Sequence, residues 1–162
     1  MRTGLDTSAM DMSTVGADRL ANAVYLAERA QGRPAVCLDF GTAVTLEMVD
    51  GKKRFLGGAI APGRMLLRRS LKLPLIPMYD EPPSGTGLNT LDAIRMGVDG
   101  GAVGIARELL ARAGAVFGGE TPMAFGIGGD AGFFCRAIRE LIYGGDDFTL
   151  RGVAKSWELN HL

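Results

Sequence analysis

Apolar residues recur along the chain in two periods, and the switches between them mark the elements. Leu20, Val24 and Ala27 repeat at helical spacing and predict a helix from Thr14 or Gly16 to about Ala30, ended by Gly32 and Pro34. The run Ala35-Val36-Cys37-Leu38 predicts a buried strand over Pro34 to Phe40. Val44, Leu46 and Met48 then alternate with Thr45, Glu47 and Val49, which predicts a second strand. Asp50-Gly51 predicts a hairpin turn, with Gly51 supplying positive φ. A third strand follows over about Arg54 to Ile60, through Gly57-Gly58.

Beyond Pro62-Gly63 the pattern predicts a short helix over Arg64 to Lys72 and a Pro- and Gly-punctuated loop over Leu73 to Gly87. Asn89 or Thr90 caps a long helix to about Ala113, with Leu91, Ile94, Val98, Ile105 and Leu109 on one face. Gly97, Gly100, Gly101 and Gly104 interrupt it; each costs about 1 kcal/mol against Ala, roughly 4 kcal/mol together. Close approach of another backbone, within the domain or across a dimer interface, would compensate; a break near Gly100 is the alternative. A strand over Thr121 to Ile127, a helix to about Leu141, a short strand at Phe148 to Leu150 and a closing helix over Gly152 to Leu159 complete the reading. Residues 1–13 lack periodicity and form an irregular segment; residues 14–162 form one α/β layered domain.

Composition narrows the function. With 162 residues, 47% of them hydrophobic, the chain can bury a core. Eighteen basic residues balance eighteen acidic ones and aromatics are sparse, so neither a nucleic-acid partner nor a membrane surface is expected. Cys37 and Cys135 lie far apart in apolar segments and read as buried free thiols. The only histidine, His161, is the penultimate residue, which removes a His-based triad or metal site. No signal peptide or membrane span is visible, and a cytoplasmic location is expected.

The chemistry-bearing candidates sit at turns. Asp39-Phe40-Gly41-Thr42 ends a strand at a bend whose amides and Thr42 hydroxyl could hold phosphate while Asp39 stays free for a cation; a tight hairpin with a capping Asp is the plain alternative. Gly16-Ala17-Asp18-Arg19 opens a helix. Asp18 either complements the helix dipole or orients a hydroxyl, and Arg19 could grip a substrate carboxylate. Gly57-Gly58-Ala59-Ile60-Ala61-Pro62-Gly63 and Gly126-Ile127-Gly128-Gly129-Asp130 permit close ligand approach, or a bulge and an ordinary turn. Arg64, Arg68, Arg69 and Lys72 read as a solvated helix face.

In order, these segments resemble the type III pantothenate kinases, also labelled Bvg accessory factors, of the actin-like sugar-kinase superfamily. Val15-Gly16-Ala17-Asp18-Arg19-Leu20-Ala21-Asn22-Ala23 looks like the family's pantothenate segment, and Asp39 to Thr45 is similar to its second phosphate motif, with Val44 where a threonine is common. Gly57 to Gly63 matches a third motif, and Asn89-Thr90 with Ala93-Ile94 and Gly97 matches a fourth. The resemblance runs from about Val15 to the end. It implies a ribonuclease H-like fold, a mixed sheet with a hairpin meander and flanking helices. It also implies ATP-dependent conversion of pantothenate to 4'-phosphopantothenate, the first step of coenzyme A biosynthesis. Asp18 would be the general base; Gly16, Ala17, Arg19 and Thr90 would line the substrate pocket. Gly41 and Thr42 would bind ATP phosphate, and Asp39 would hold potassium or ammonium, with Mg2+ arriving on ATP. A homodimer is implied.

One departure changes the expectation for activity. The family's opening Asp-x-Gly-Asn-Thr segment has no counterpart before Val15, since Gly4-Leu5-Asp6-Thr7 has the wrong order. The N-terminal ATP-binding subdomain is therefore expected to be missing, and the chain alone is expected to transfer phosphate poorly. A non-catalytic pantothenate-binding or dimerisation remnant is the competing reading. An actin-like kinase or phosphatase for another substrate is disfavoured by Arg19, which suits an acid, and a DNA-binding regulator finds no support in the neutral charge balance.

Overall fold

The computed structural model describes residues 2–73 and 77–161; residue 1 of the irregular segment, residues 74–76 of the expected loop and residue 162 lie outside the described residues. The order of elements is α1 (Ala17–Ala30), β1 (Ala35–Phe40), β2 (Ala43–Val49), β3 (Phe55–Pro62), α2 (Arg64–Ser70), α3 (Thr90–Arg95), a π-helical turn (Met96–Gly100), α4 (Gly101–Val116), β4 (Met123–Ile127), α5 (Ala131–Ala137), β5 (Leu141–Tyr143) and α6 (Phe148–His161). The strands form one sheet in the order β3-β2-β1-β4-β5. The β1–β2 and β2–β3 pairs are antiparallel; β4 lies parallel to β1, and β5 parallel to β4. This is the mixed α/β architecture the pattern predicts.

Strand alternation builds two cores, because successive side chains leave opposite faces of a sheet. Val36, Leu38 and Phe40 of β1 and Val44, Leu46 and Met48 of β2 pack with Val103, Ala106 and Leu109 of α4 and Phe133 and Phe134 of α5. Ala35, Cys37, Val49, Phe55, Phe125 and Ile127 meet Ala23, Leu26, Ala27 and Ala30 of α1 and Phe148 of α6 on the other side. Helix α6 lies directly against α1 because Gly152 has no side chain; a Cβ there would run into the Ala21 carbonyl. No described helix is long and apolar enough to cross a membrane.

Several expectations need correction. The 50–54 hairpin forms, but Gly51 does not supply the positive φ; Lys53 does, at 60°. Asp50 stabilises the turn by accepting from the amides of Lys52 and Arg54 (both 2.9 Å), and Gly51 is needed because a side chain would strike the Gly32 carbonyl. Phe148 to Leu150 is not a strand: Phe148 is buried against α1 and β4, and the residues form the first turn of α6. The last strand is Leu141–Tyr143, where helix was expected; α5 stops at Ala137, and the edge strand pairs with Ala124 to Gly126. The long helix runs on through Gly100, widened by the π-helical turn rather than broken. Nothing among the described residues lies within 4 Å of a Cβ at Gly97, Gly100, Gly101 or Gly104, so no close backbone within the chain offsets their cost. Cys37 is buried, whereas Cys135 is only partly so; both are free thiols.

Candidate active site

On the α1 side of the sheet, the residues pointing up from β1 and β2 change character along the strands. Ala35, Cys37 and Val49 are apolar, while Asp39, Thr45 and Glu47 are polar and gather at the other end. Helix α1 meets that polar end with its first two turns. Asn22, buried in a run of alanines, donates from Nδ2 to Asp39 Oδ2 at 3.4 Å. The Thr149 hydroxyl of α6 donates to Asn22 Oδ1 at 2.7 Å, which fixes which way the amide points.

Arg19 sits one turn earlier. Its Nε donates to Glu47 Oε1 at 2.8 Å and its Nη2 to the Leu46 carbonyl at 3.3 Å. Thr45 donates to Glu47 Oε2 at 3.3 Å. Glu47 is fully buried, and burial pushes its carboxyl up to about 7 even though Arg19 and Thr45 both pull it down. Asp39 is raised first by burial; the Asn22 hydrogen bond opposes this, and the charge of Asp18 adds to it. Asp18 is exposed, and Gly16 leaves it room, since a Cβ on Gly16 would strike its carboxylate. Asp18 directly precedes Arg19 in the first turn of α1, the helix whose Asn22 reaches Asp39.

The bend after β1 is tied down from two directions. The Gly41 amide donates to the Ala43 carbonyl at 3.0 Å, so that glycine N–H is engaged within the bend rather than open. The Gly63 amide donates to the Thr42 carbonyl at 2.9 Å, and the Asp130 amide donates to the Phe40 carbonyl at 3.0 Å. The Gly57–Gly63 and Gly126–Asp130 segments therefore both converge on Asp39–Thr42. Gly128 is held at positive φ (87°), with no room for a side chain beside Asp39. Thr42 itself is exposed.

The basic helix face is the largest correction. Arg64 and Arg68 are not solvated; both are buried. Arg64 pairs through Nε with Asp99 (3.2 Å) and through Nη1 with Asp130 (3.3 Å), and its guanidinium lies 3.6 Å from the Phe133 ring centroid. Arg68 Nη2 reaches both Asp99 oxygens at 3.0 Å. The two arginines also donate to the Tyr79 and Pro77 carbonyls (2.8 and 2.6 Å), fastening the descending loop. Burial raises the Asp130 carboxyl, and Arg64 pulls it back. Two cations and two carboxylates thus form a charge-balanced cluster behind the bend, buried except at Asp130.

Gly16, Ala17, Asp18, Arg19, Asp39, Gly41 and Thr42 are therefore brought to one end of the sheet. Thr90 is not among them. It opens α3 and lines a separate apolar groove with Leu67, Leu71, Ile94, Gly97 and Ile105. Sequence reasoning missed Glu47 and Asn22. Asn22 had a signal, an amide within an alanine-rich helix face, whereas Glu47 alternates with Val44, Leu46 and Met48 beside Thr45 and reads as a solvent-facing residue until α1 covers it.

The fold and site are those of an α/β domain in which an acidic helix start, an arginine paired with a buried glutamate and a strand-end bend lie at one end of the sheet. The comparisons narrow this. Residues 1–112 match the family model described as type III pantothenate kinase. The chain is 37% identical to a type III pantothenate kinase of Rubrobacter xylanophilus, covering 99% of this chain and 64% of that one. It is also 37% identical to one of Akkermansia muciniphila (90% and 61% covered) and 32% identical to one of Thermomicrobium roseum (98% and 62%). A solved Campylobacter jejuni structure, described as a conserved Baf family transcriptional activator, shares the fold at a TM-score of 0.69 and 22% identity, over 96% of this chain and 68% of its own. The chain belongs to the type III pantothenate kinase family. It spans a little under two thirds of the length of these curated relatives.

Proposed function

We propose that the protein phosphorylates pantothenate at its primary hydroxyl at the expense of ATP, giving 4'-phosphopantothenate for coenzyme A biosynthesis. The carrying observation is the hydrogen bond from Asn22 of α1 to Asp39, which holds the helix start bearing Asp18 and Arg19 against the strand that leads into the Asp39–Thr42 bend. Phosphoryl transfer asks little covalent work of a protein; it needs the hydroxyl, the phosphate and their charges held in line. Asp18 is exposed and acts as general base on the hydroxyl. Arg19, with Gly16 and Ala17 beside it, grips the pantothenate carboxylate. Thr42 holds an ATP phosphate oxygen through its hydroxyl, a role that falls to it because the Gly41 amide is engaged.

Asp39 suits a monovalent cation. Its carboxylate has one long hydrogen bond, is pushed up by burial, and lacks a basic partner among those that shift it. Potassium or ammonium there would supply positive charge near the phosphates. Mg2+ would arrive with ATP. The strand order β3-β2-β1-β4-β5 supports the actin-like, ribonuclease H-like assignment. The open glycine face of α4 and the groove holding Thr90 support a homodimer, and a biosynthetic kinase of this kind works in the cytoplasm. Incubating the protein with ATP, potassium and pantothenate should yield 4'-phosphopantothenate, slowly from this chain alone, and Asp18→Asn should lower that rate by about 100-fold or more while pantothenate still binds. An Asp18→Asn variant as fast as the wild type would remove the reading.

A further inference from the structure

We propose that Glu47 is a positioning residue for acid recognition: its buried carboxylate holds the Arg19 guanidinium by one edge and turns the remaining edge toward the carboxylate of the substrate. This rests on the pantothenate reading above and names the part of the site that sets its charge preference.

Two strands shape the space around one guanidinium. From β2, Glu47 Oε1 accepts the Arg19 Nε–H at 2.8 Å, and the Leu46 carbonyl accepts from Nη2 at 3.3 Å. From the same strand, Thr45 donates to Glu47 Oε2 at 3.3 Å and so limits rotation of the carboxylate. From β3, Gly58 stands opposite Glu47 in register, and a Cβ there would fall 3.2 Å from Arg19 Nη2, besides striking the Leu46 carbonyl. The missing side chain clears a path for the guanidinium.

Arginine carries five N–H donors in a fixed planar fork. The contacts above use Nε–H and one Nη2–H, which leaves Nη1 and the second Nη2 hydrogen for a planar anion in a two-point contact. The Arg19 side chain is 15% exposed and Glu47 is not exposed at all, so a ligand can reach the arginine and cannot reach its holder. The other groups facing Glu47 are Cys37 and Asp39 of β1; neither is a cation, so Arg19 is the positive charge that Glu47 holds. A ligand carboxylate would then share the guanidinium with Glu47.

The test compares two ligands that differ only at the acid: pantothenate, and panthenol, in which the carboxylate is replaced by a neutral alcohol. Calorimetric titration of the whole chain should show Glu47→Gln weakening pantothenate by about tenfold or more, with panthenol changed by less than about twofold. Arg19→Met should give the same pattern. Thr45→Val, which keeps the ion pair and removes only its support, should weaken pantothenate by a smaller factor and serves if Glu47→Gln fails to fold. Equal losses for both ligands would make the pair a structural staple and overturn the inference, as would unchanged pantothenate binding in Glu47→Gln. If the wild type binds neither ligand, the substrate reading falls first and this inference with it.

Discussion

Glu47 also gives the protein a pH dependence that can be worked out and isolated. Its carboxyl is raised from 4.5 to about 7 on folding, because complete burial outweighs the 2.8 Å bond to Arg19 and the Thr45 hydroxyl. Between those two values the folded state holds a proton that the unfolded state has released, so stability falls as pH rises. The contribution is fully present below about 4.5 and is lost through about 7. At 1.36 kcal/mol per pKa unit, the rise corresponds to about 3 kcal/mol as an order of magnitude. Other carboxylates also titrate: Asp39 and Asp130 are raised like Glu47, whereas Asp6, Asp11 and Asp50 are lowered and stabilise in the opposite sense. Subtraction removes them. Urea denaturation of the wild type and of Glu47→Gln at a series of pH values should give a stability difference that moves by about 3 kcal/mol in favour of the variant from about pH 4.5 to about pH 8. A difference that stays flat across this window would mean that Glu47 remains ionised throughout, and the reasoning from burial would be wrong.

Three further outcomes follow from the packing. Asp99→Asn leaves Arg64 and Arg68 buried together without the carboxylate they share, and should cost about 3–5 kcal/mol in chemical denaturation; a loss below about 1 kcal/mol would show that the cluster is solvated. Gly152→Ala forces α6 away from the Ala21 carbonyl and should cost about 1–3 kcal/mol, with the change visible in near-ultraviolet circular dichroism around Trp157; an unchanged melting temperature would contradict the contact. A Cβ at Gly104 meets no atom outside its own helix turn within 4 Å among the described residues, so helicity should persist in Gly104→Arg, while sedimentation velocity should show the proposed dimer shifted toward monomer; an unaltered sedimentation coefficient would place the interface elsewhere.

The parts of the fold that sequence exposes are those with a long, single-period signal. Helix α1 and the β1–β2–β3 meander follow directly from their apolar spacing, and Asp18, Arg19 and the Asp39–Thr42 bend fall where element ends bring them together. What stays hidden depends on partners distant in the chain. Four basic residues in nine look like a solvated surface until Asp99 arrives 35 residues later, from a helix whose apolar face draws attention away from it. Leu141-Ile142-Tyr143 is too short to show a period, and only the neighbouring β4 makes it a strand. The turn at residues 50–54 was recognisable, but not which residue takes the left-handed conformation, because the clash that reserves position 51 for glycine comes from Gly32.

The Thr149 hydroxyl reaches Asp39 through a single amide, that of Asn22. The final helix is thereby wired to the carboxylate that the cation reading depends on, across 110 residues of sequence between positions 39 and 149. Loss of the hydroxyl at position 149 would free the Asn22 amide to turn and, on the proposed reading, would register at Asp39 even in molecules whose sheet is intact. A screen that sorts lesions by their separation from Asp39 along the chain would misfile such a change.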